Sequence, residues 1–197
     1  PIWHKEIEDI IVLKNNKGTE DNRVRKLDYS IQLSKLFYER FINNEDITLF
    51  SPHEVPELYE AWGTPEFDEV YKTAERKTSV TKTKVNAQTL IMDMLKERAE
   101  TGRIYIMNID HCNTHSSFKD RITMSNLCQE ITLPTDPIQH IDGEGEIALC
   151  ILSALNVGKI NNIEELEPLC ELAVRSLDEI IDHQLYPVKA AEISTKA

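Results

Sequence analysis

Three residues within positions 125–131 have side chains suited to chemistry: the amide of Asn126, the thiol of Cys128 and the carboxylate of Glu130. Alternate positions of an extended chain share a face, so an extended backbone here aims all three at one side and turns Leu127, Gln129 and Ile131 to the other. A thiol flanked by a base and a hydrogen-bonding amide suits work on a hydroxylated substrate. The triplet also has a bland explanation, because free cysteine is commonly a small buried hydrophobe. A second constellation competes. His111, Cys112 and His115 offer three ligand atoms, and His53 or Cys128 would complete a tetrahedron. That set lacks the second paired knuckle of a structural zinc site and reads more simply as a loop with local hydrogen bonds. Glu164 with Glu165, and Glu144 with Glu146, read as helix-terminal and loop charges rather than acid/base pairs. No glycine-rich phosphate loop occurs.

Periodicity predicts the helices and strands around these groups. Ile7, Ile10 and Ile11, with Trp3, have helical spacing closed by Asn15-Asn16-Lys17-Gly18, which predicts a short helix. An extended start over 24–29 leads into a helix to about Phe41. Residues 46–50 form a compact strand, and Ser51-Pro52 opens a short helix as N-cap and first helical residue. Helices are expected over 66–74 and 85–98, the second closed by Thr101-Gly102, and residues 103–109 have strand composition. Arg76, Lys77, Lys82 and Lys84 lie in a Thr/Lys-rich segment that reads as a solvated face or linker. Pro134, Pro137 and Asp142-Gly143-Glu144-Gly145 mark a loop. The dense apolar run 146–155 suits a strand buried on both faces, and 163–185 a long amphipathic helix. Alternating helices and strands predict an α/β fold.

An apolar content of 41% supports one domain of ordinary size or a piece of a larger one. No apolar run of about 18 residues and no basic-then-apolar leader is present, so neither a transmembrane helix nor a signal peptide is expected. The 34 carboxylates against 22 Lys plus Arg disfavour a nucleic-acid polymer or an anionic membrane as partner. Cysteines at 112, 128, 150 and 170 form no CxxC pair, which points to a reducing compartment, the cytoplasm by default. A start at Pro1 and an end in Ile-Ser-Thr-Lys-Ala look cut, so a fragment is expected.

Several motifs in one order carry a resemblance. Leu13-Lys-Asn-Asn16, Arg103-Ile-Tyr-Ile, Asp110-His-Cys-Asn-Thr-His115, Ser125-Asn-Leu-Cys-Gln-Glu-Ile131 and Gly145-Glu-Ile-Ala-Leu-Cys150 resemble the large catalytic subunit of class I ribonucleotide reductases. The similarity runs from Trp3-His4 to Tyr186-Pro187. It implies that residues 1–197 are a fragment of a single catalytic domain, a ten-stranded α/β barrel built from two half-barrels. A finger loop over about 123–133 would carry the active cysteine. The strand at 103–109 would close one half-barrel and 146–155 would open the other.

The resemblance also implies roles. Cys128 matches the thiyl-radical position that abstracts the 3′ hydrogen of a ribonucleotide, Glu130 the group that takes the 3′-hydroxyl proton, and Asn126 the amide that holds the sugar hydroxyls. Residues Asn126, Leu127, Cys128, Gln129 and Glu130 would line the substrate. Cys150, which on its own residues reads as core packing, matches one member of a redox-active pair whose partner lies upstream of Pro1; Cys112 and Cys170 occupy no matching position. The substrate would be a ribonucleoside diphosphate, with no metal or cofactor held by this segment. The radical would come from a metal-containing small subunit, electrons from thioredoxin or glutaredoxin, and regulation from ATP/dATP-type effectors bound elsewhere on the large subunit, a homodimer when complete. In the alternative reading, the isolated chain is inactive, an α/β structural or assembly piece of a split or truncated large subunit.

Overall fold

The structure, a computed structural model, describes residues 1–143 and 145–196, with the backbone alone at residue 22. Glu144, read above as a loop charge, lies outside the described residues. In chain order the elements are α1 (Ile7–Ile11), β1 (Ser30–Leu33), α2 (Lys35–Ile42), β2 (Asp46–Phe50), α3 (Pro56–Ala61), α4 (Phe67–Arg76), β3 (Lys82–Asn86), α5 (Ala87–Thr101), β4 (Tyr105–Asn108), α6 (Ile109–Thr114), β5 (Ile122–Ser125), β6 (Thr132–Pro134), α7 (Leu166–His183) and α8 (Lys189–Lys196). Helices and strands are mixed, as expected of an α/β chain, and no closed barrel forms among the described residues. No described helix is long and apolar enough to cross a membrane. The chain divides into two compact units, residues 1–123 with 127–129, and residues 124–126 with those from 130 onward.

In the first unit β1 and β4 pair in parallel, and β2 and β3 pair antiparallel. The N-terminal segment splices the two pairs. Ile2 N–H donates to the Gln32 carbonyl (3.0 Å), Phe50 N–H to that of Trp3 (2.8 Å) and Lys5 N–H to that of Phe50 (2.8 Å), so residues 2–5 do the work of a strand between β1 and β2. Local chemistry sets the helix ends. Ser34 Oγ accepts from Phe37 N–H at the start of α2, and Asn86 Oδ1 from Gln88 and Thr89 N–H at the start of α5. Gly102, at φ +65°, ends α5 in the left-handed conformation that glycine adopts without strain. Trp3, Leu33, Phe50, Leu58 and Met94 are fully buried in the core of this unit.

Three expectations need correction here. The extended start expected over 24–29 is interrupted, because residues 25–26 form a turn in which Arg25 is bonded to Glu20 (2.8 Å) and Asn16 (3.0 Å), and the strand starts at Ser30. Ser51-Pro52 forms a turn in which the Ser51 carbonyl accepts from Glu54 and Val55, and the helix begins at Pro56 instead. The Thr/Lys-rich stretch is no linker, since Lys82–Asn86 is the strand β3. Its lysines hid it: Lys82 Nζ donates to the carbonyls of Glu75 and Lys77 at the end of α4 (both 2.6 Å), a helix-capping role that a polar residue in a half-exposed strand can take.

In the second unit Asp136 and Glu146 form an isolated antiparallel bridge. The run 146–155 does not form the expected strand. No neighbouring strand supplies a ladder to it among the described residues; Ile147 N–H goes to Ser194 Oγ (3.1 Å), and Leu149 and Leu152 are exposed. Apolar composition alone does not make a strand, because the backbone needs a partner. The long helix expected over 163–185 is present as α7, but none of its residues is fully buried.

One polar cluster ties α2, β2 and α4 together. Arg40 forms two parallel hydrogen bonds with Glu75 (both 2.6 Å), Thr48 Oγ1 donates to the same carboxylate (2.6 Å), and Tyr71 Oη accepts from Thr48 N–H (2.7 Å) while donating to its carbonyl (2.6 Å). Burial pushes the Glu75 carboxyl up, but the bonds from Arg40 and Thr48 outweigh it and leave the group below its ordinary value of 4.5. Its stabilising contribution is therefore complete above that value and lost as pH falls through the folded-state value. Glu75→Ala should cost about 2 kcal/mol at pH 7 in a denaturant titration. The loss should shrink as pH falls below 4.5, where the wild type gives up the same contribution.

Candidate active site

The loop that carries Cys128 is held at its root by side-chain amides. Asn113, on α6, accepts from Ile122 N–H through Oδ1 (2.9 Å) and donates through Nδ2 to the carbonyls of Ile122 (3.0 Å) and Ile109 (3.1 Å). Both main-chain groups of Ile122 are thus paired with one side chain, as a neighbouring strand would pair them. The next carbonyl, of Thr123, accepts from Gln32 Nε2 (2.6 Å), whose Oε1 accepts from Trp62 Nε1 (2.5 Å). Trp62 is set edge-on to Trp3 and Phe67, with ring centroids 6.0 and 4.6 Å away. Arg121 donates to the carbonyls of Tyr59, Glu60 and Trp62 at the end of α3. The root is therefore tied to the core of the first unit through β1, α3 and α6.

Gly63 makes this arrangement possible. It sits at φ +77°, and a Cβ built on it would lie 2.8 Å from Asn113 Nδ2 and 2.8 Å from Ile109 Cγ1. Only glycine lets the chain pass this close to the amide.

Beyond the root, the extended backbone expected over 125–131 is replaced by a reversal. β5 and β6 form a two-stranded sheet, Asn126 N–H donates to the Ile131 carbonyl (3.1 Å), and Ile131 N–H donates to Asn126 Oδ1 (3.0 Å). Leu127 and Cys128 lie in a turn, and Gln129 takes the left-handed conformation, φ +68°, that non-glycine residues rarely adopt. Alternation therefore does not set the facing of the three groups. The turn leaves Cys128 exposed as a free thiol and Glu130 exposed, while it buries Asn126. The Nδ2 atom of Asn126 and the Nε2 atom of Gln129 are buried without a hydrogen-bond partner.

Asn126, Glu130 and Cys150 all belong to the second unit; Leu127, Cys128 and Gln129 belong to the first. The Asn126 amide, then the main-chain N–H of Glu130 itself and, least, the Cys150 thiol hold the Glu130 carboxyl below the ordinary range against a smaller opposing effect of burial. The amide acts there as a nearby dipole, since Nδ2 does not meet hydrogen-bond geometry. Cys150 is half-buried and lines a cavity of about 400 Å³ together with Ile131, Leu133, Leu177, Ile181 and Ser194. The core packing that its sequence neighbourhood suggests is thus only partial.

The rival metal set does not assemble. Residues 109–114 are a helix, not a loop, so His111 and His115 lie on one exposed face with ring centroids 5.8 Å apart. Cys112 turns to the core, where burial pushes its thiol up. No group of three or more His, Cys, Asp or Glu is placed to hold a metal ion among the described residues. Asn113, Gln32 and Gly63 escaped the reading of the sequence as functional residues. A glycine following an aromatic residue in a polar turn was the one available sign.

Comparison with known proteins covers the whole chain. The family described as "Ribonucleotide reductase, barrel domain" matches residues 1–197. The chain is 55% identical over 203 residues to the ribonucleoside-diphosphate reductase subunit alpha of Haemophilus influenzae, covering 100% of this chain and 27% of that protein. It is 52% identical over 200 residues to the subunit alpha of Buchnera aphidicola, covering 98% and 26%. Against the Escherichia coli ribonucleoside-diphosphate reductase 1 subunit alpha it is 54% identical over 143 residues, covering 70% and 19%. The chain spans about a quarter of the length of the curated relatives it matches.

Two glycine substitutions separate backbone strain from steric conflict. Gly102→Ala meets open space at φ +65° and should cost about 1 kcal/mol, the left-handed penalty alone. Gly63→Ala adds the collision with Asn113 and Ile109 and should cost about 1–3 kcal/mol more in the same denaturant titration.

Proposed function

The chain belongs to the ribonucleotide reductase barrel-domain family, and from that premise we propose that it is the catalytic core segment of a ribonucleoside-diphosphate reductase large subunit, reducing the 2′ position of ribonucleotides to make DNA precursors. The reading is carried by the family's match to the chain from end to end, with Asn126, Cys128 and Glu130 at alternate positions of one short segment of the sequence.

Cys128, once oxidised by one electron and one proton to its thiyl form, takes the 3′ hydrogen atom of the ribose, making an S–H bond and leaving a carbon-centred radical. Sulfur suits the step because S–H and activated ribose C–H bonds are of similar strength, so the transfer reverses at the end of turnover. Exposure of the thiol at a turn fits a group that must reach a substrate. Glu130 accepts the 3′-hydroxyl proton as the 2′-hydroxyl leaves as water. Its carboxyl, held below the ordinary range, is ionised and ready at neutral pH. Asn126 holds the sugar hydroxyls, and its unpartnered buried Nδ2 is a donor in want of an acceptor. Leu127 and Gln129 complete the substrate-facing loop.

Two electrons and two protons come from Cys150 and a second cysteine outside this chain, which end as a disulfide. The balance is ribonucleotide plus two thiols to deoxyribonucleotide, disulfide and water. In this reading the loop is the finger of a ten-stranded barrel, and the remaining strands come from the rest of the large subunit. The chain itself binds no metal or cofactor. A separate metal-containing small subunit supplies the oxidising equivalent, thioredoxin or glutaredoxin restores the thiols, nucleotide effectors bind elsewhere on a homodimeric large subunit, and the enzyme is cytoplasmic.

One observation favours the second reading for the isolated chain. The apolar run 146–155 has no ladder partner among the described residues and leaves Leu149 and Leu152 exposed, as an assembly piece would. Taken alone, the chain should turn over no substrate, and nucleotide reduction by the purified chain without other subunits would contradict this.

In the complete assembly, Cys128→Ser should abolish turnover with the fold retained by circular dichroism, whereas a packing role predicts retained activity. Glu130→Gln should lower kcat by roughly 10²–10⁴-fold with substrate binding kept. Cys150→Ser should stop reduction sustained by thioredoxin-type reductants.

A further inference from the structure

We propose that Asn113, with Gln32 as a second support, is a positioning residue for the Cys128 radical site. The inference rests on the reductase reading above and adds to it two residues whose hydrogen bonds go to the root of the loop rather than to Cys128.

The tip of the loop at Leu127 and Cys128 is exposed, so its placement depends on what fixes the chain before it. That root is Ile122 and Thr123. The Ile122 side chain is buried in the core, and its N–H and C=O are both bonded to the Asn113 amide. The Asn113 amide uses both donor hydrogens and its acceptor oxygen on main-chain groups, which leaves it one rotamer and one orientation. Gln32 is saturated in a similar way: Oε1 on Trp62, Nε2 on the Thr123 carbonyl. Two successive residues of the root are thus held by amides from different elements, α6 and β1. Gly63 packs against the Asn113 amide so closely that a Cβ there would lie 2.8 Å from Nδ2.

A hydrogen-atom transfer demands short, fixed geometry, and a displacement of about 1 Å in the reacting atom can cost about a hundredfold in rate. Loosening the root should therefore act on the chemical step rather than on substrate binding. It should also let the oxidised sulfur react elsewhere, so that more radical is lost per product formed.

The test uses the full-length large subunit with its radical-generating small subunit, comparing wild type, Asn113→Ala, Gln32→Met and Cys128→Ser. Three readouts are taken: kcat and KM for a ribonucleoside diphosphate, and radical lost per deoxyribonucleotide formed, by electron paramagnetic resonance. Asn113→Ala should lower kcat at least about tenfold with KM within about twofold, and should raise the loss of radical per product. Gln32→Met, which keeps the side-chain volume, should shift both in the same direction by less. A merely structural role would lower the active fraction and leave radical lost per product unchanged, because unfolded subunits neither turn over nor consume radical. That result, or wild-type values in both variants while Cys128→Ser is dead, overturns the positioning role alone. If Asn113→Ala does not fold, Gln32→Met decides on the same criteria. Turnover by Cys128→Ser would overturn the reductase reading of this residue and the positioning role with it.

Discussion

The pairing of Ile122 with the Asn113 amide is the contact on which the rest of the site depends. A buried main-chain N–H or C=O without a partner costs roughly 1–3 kcal/mol, and strands normally answer that demand with another strand. Here one side chain answers both groups at once, at 2.9 and 3.0 Å. The consequences reach outward: α6 has to start at Ile109 so that Asn113 faces the root, and the chain entering α4 has to carry glycine at position 63 to clear the amide. Trp62, set edge-on against Phe67, has to present its indole N–H to Gln32.

The same economy recurs in the first unit. Tyr71 supplies Thr48 with an acceptor and a donor through one hydroxyl, and residues 2–5 join β1 to β2 with three main-chain bonds. Short strands of four or five residues make few ladder bonds of their own, so borrowed partners decide their register. The Arg40–Glu75 pair then locks α2 to α4 with charge-assisted geometry. A thiol at the tip of a loop needs this kind of backing, because its own turn is exposed and includes a left-handed Gln129.

Much of this was legible in the sequence, for identifiable reasons. The α5 helix announced itself through a stripe of apolar residues and Gly102, and β2 through a compact apolar run whose burial is nearly continuous. The triplet at 126, 128 and 130 was legible as residue types but not as geometry. Alternation assumes an extended chain, and nothing in Gln129 signals a positive φ. β3 was hidden because its composition is polar, with Lys82 serving the end of α4 and Lys84 facing solvent. The run 146–155 misled in the opposite direction, since composition reports burial and not the presence of a pairing strand. Asn113 was beyond reach: its role depends on Ile122, nine residues later, and no local pattern links an amide to a distant main chain.

The proposed removal of the 3′ hydrogen of a ribonucleotide by Cys128 is open to isotopic competition. The complete enzyme is given equal amounts of a ribonucleoside diphosphate with hydrogen or deuterium at the 3′ carbon, and the isotopic ratio of the residual substrate is followed by mass spectrometry. Breaking of that bond predicts that the 3′-deuterated substrate is consumed more slowly and accumulates in the residue. Equal consumption of the two would mean that the 3′ bond is not broken and that Cys128 has another role.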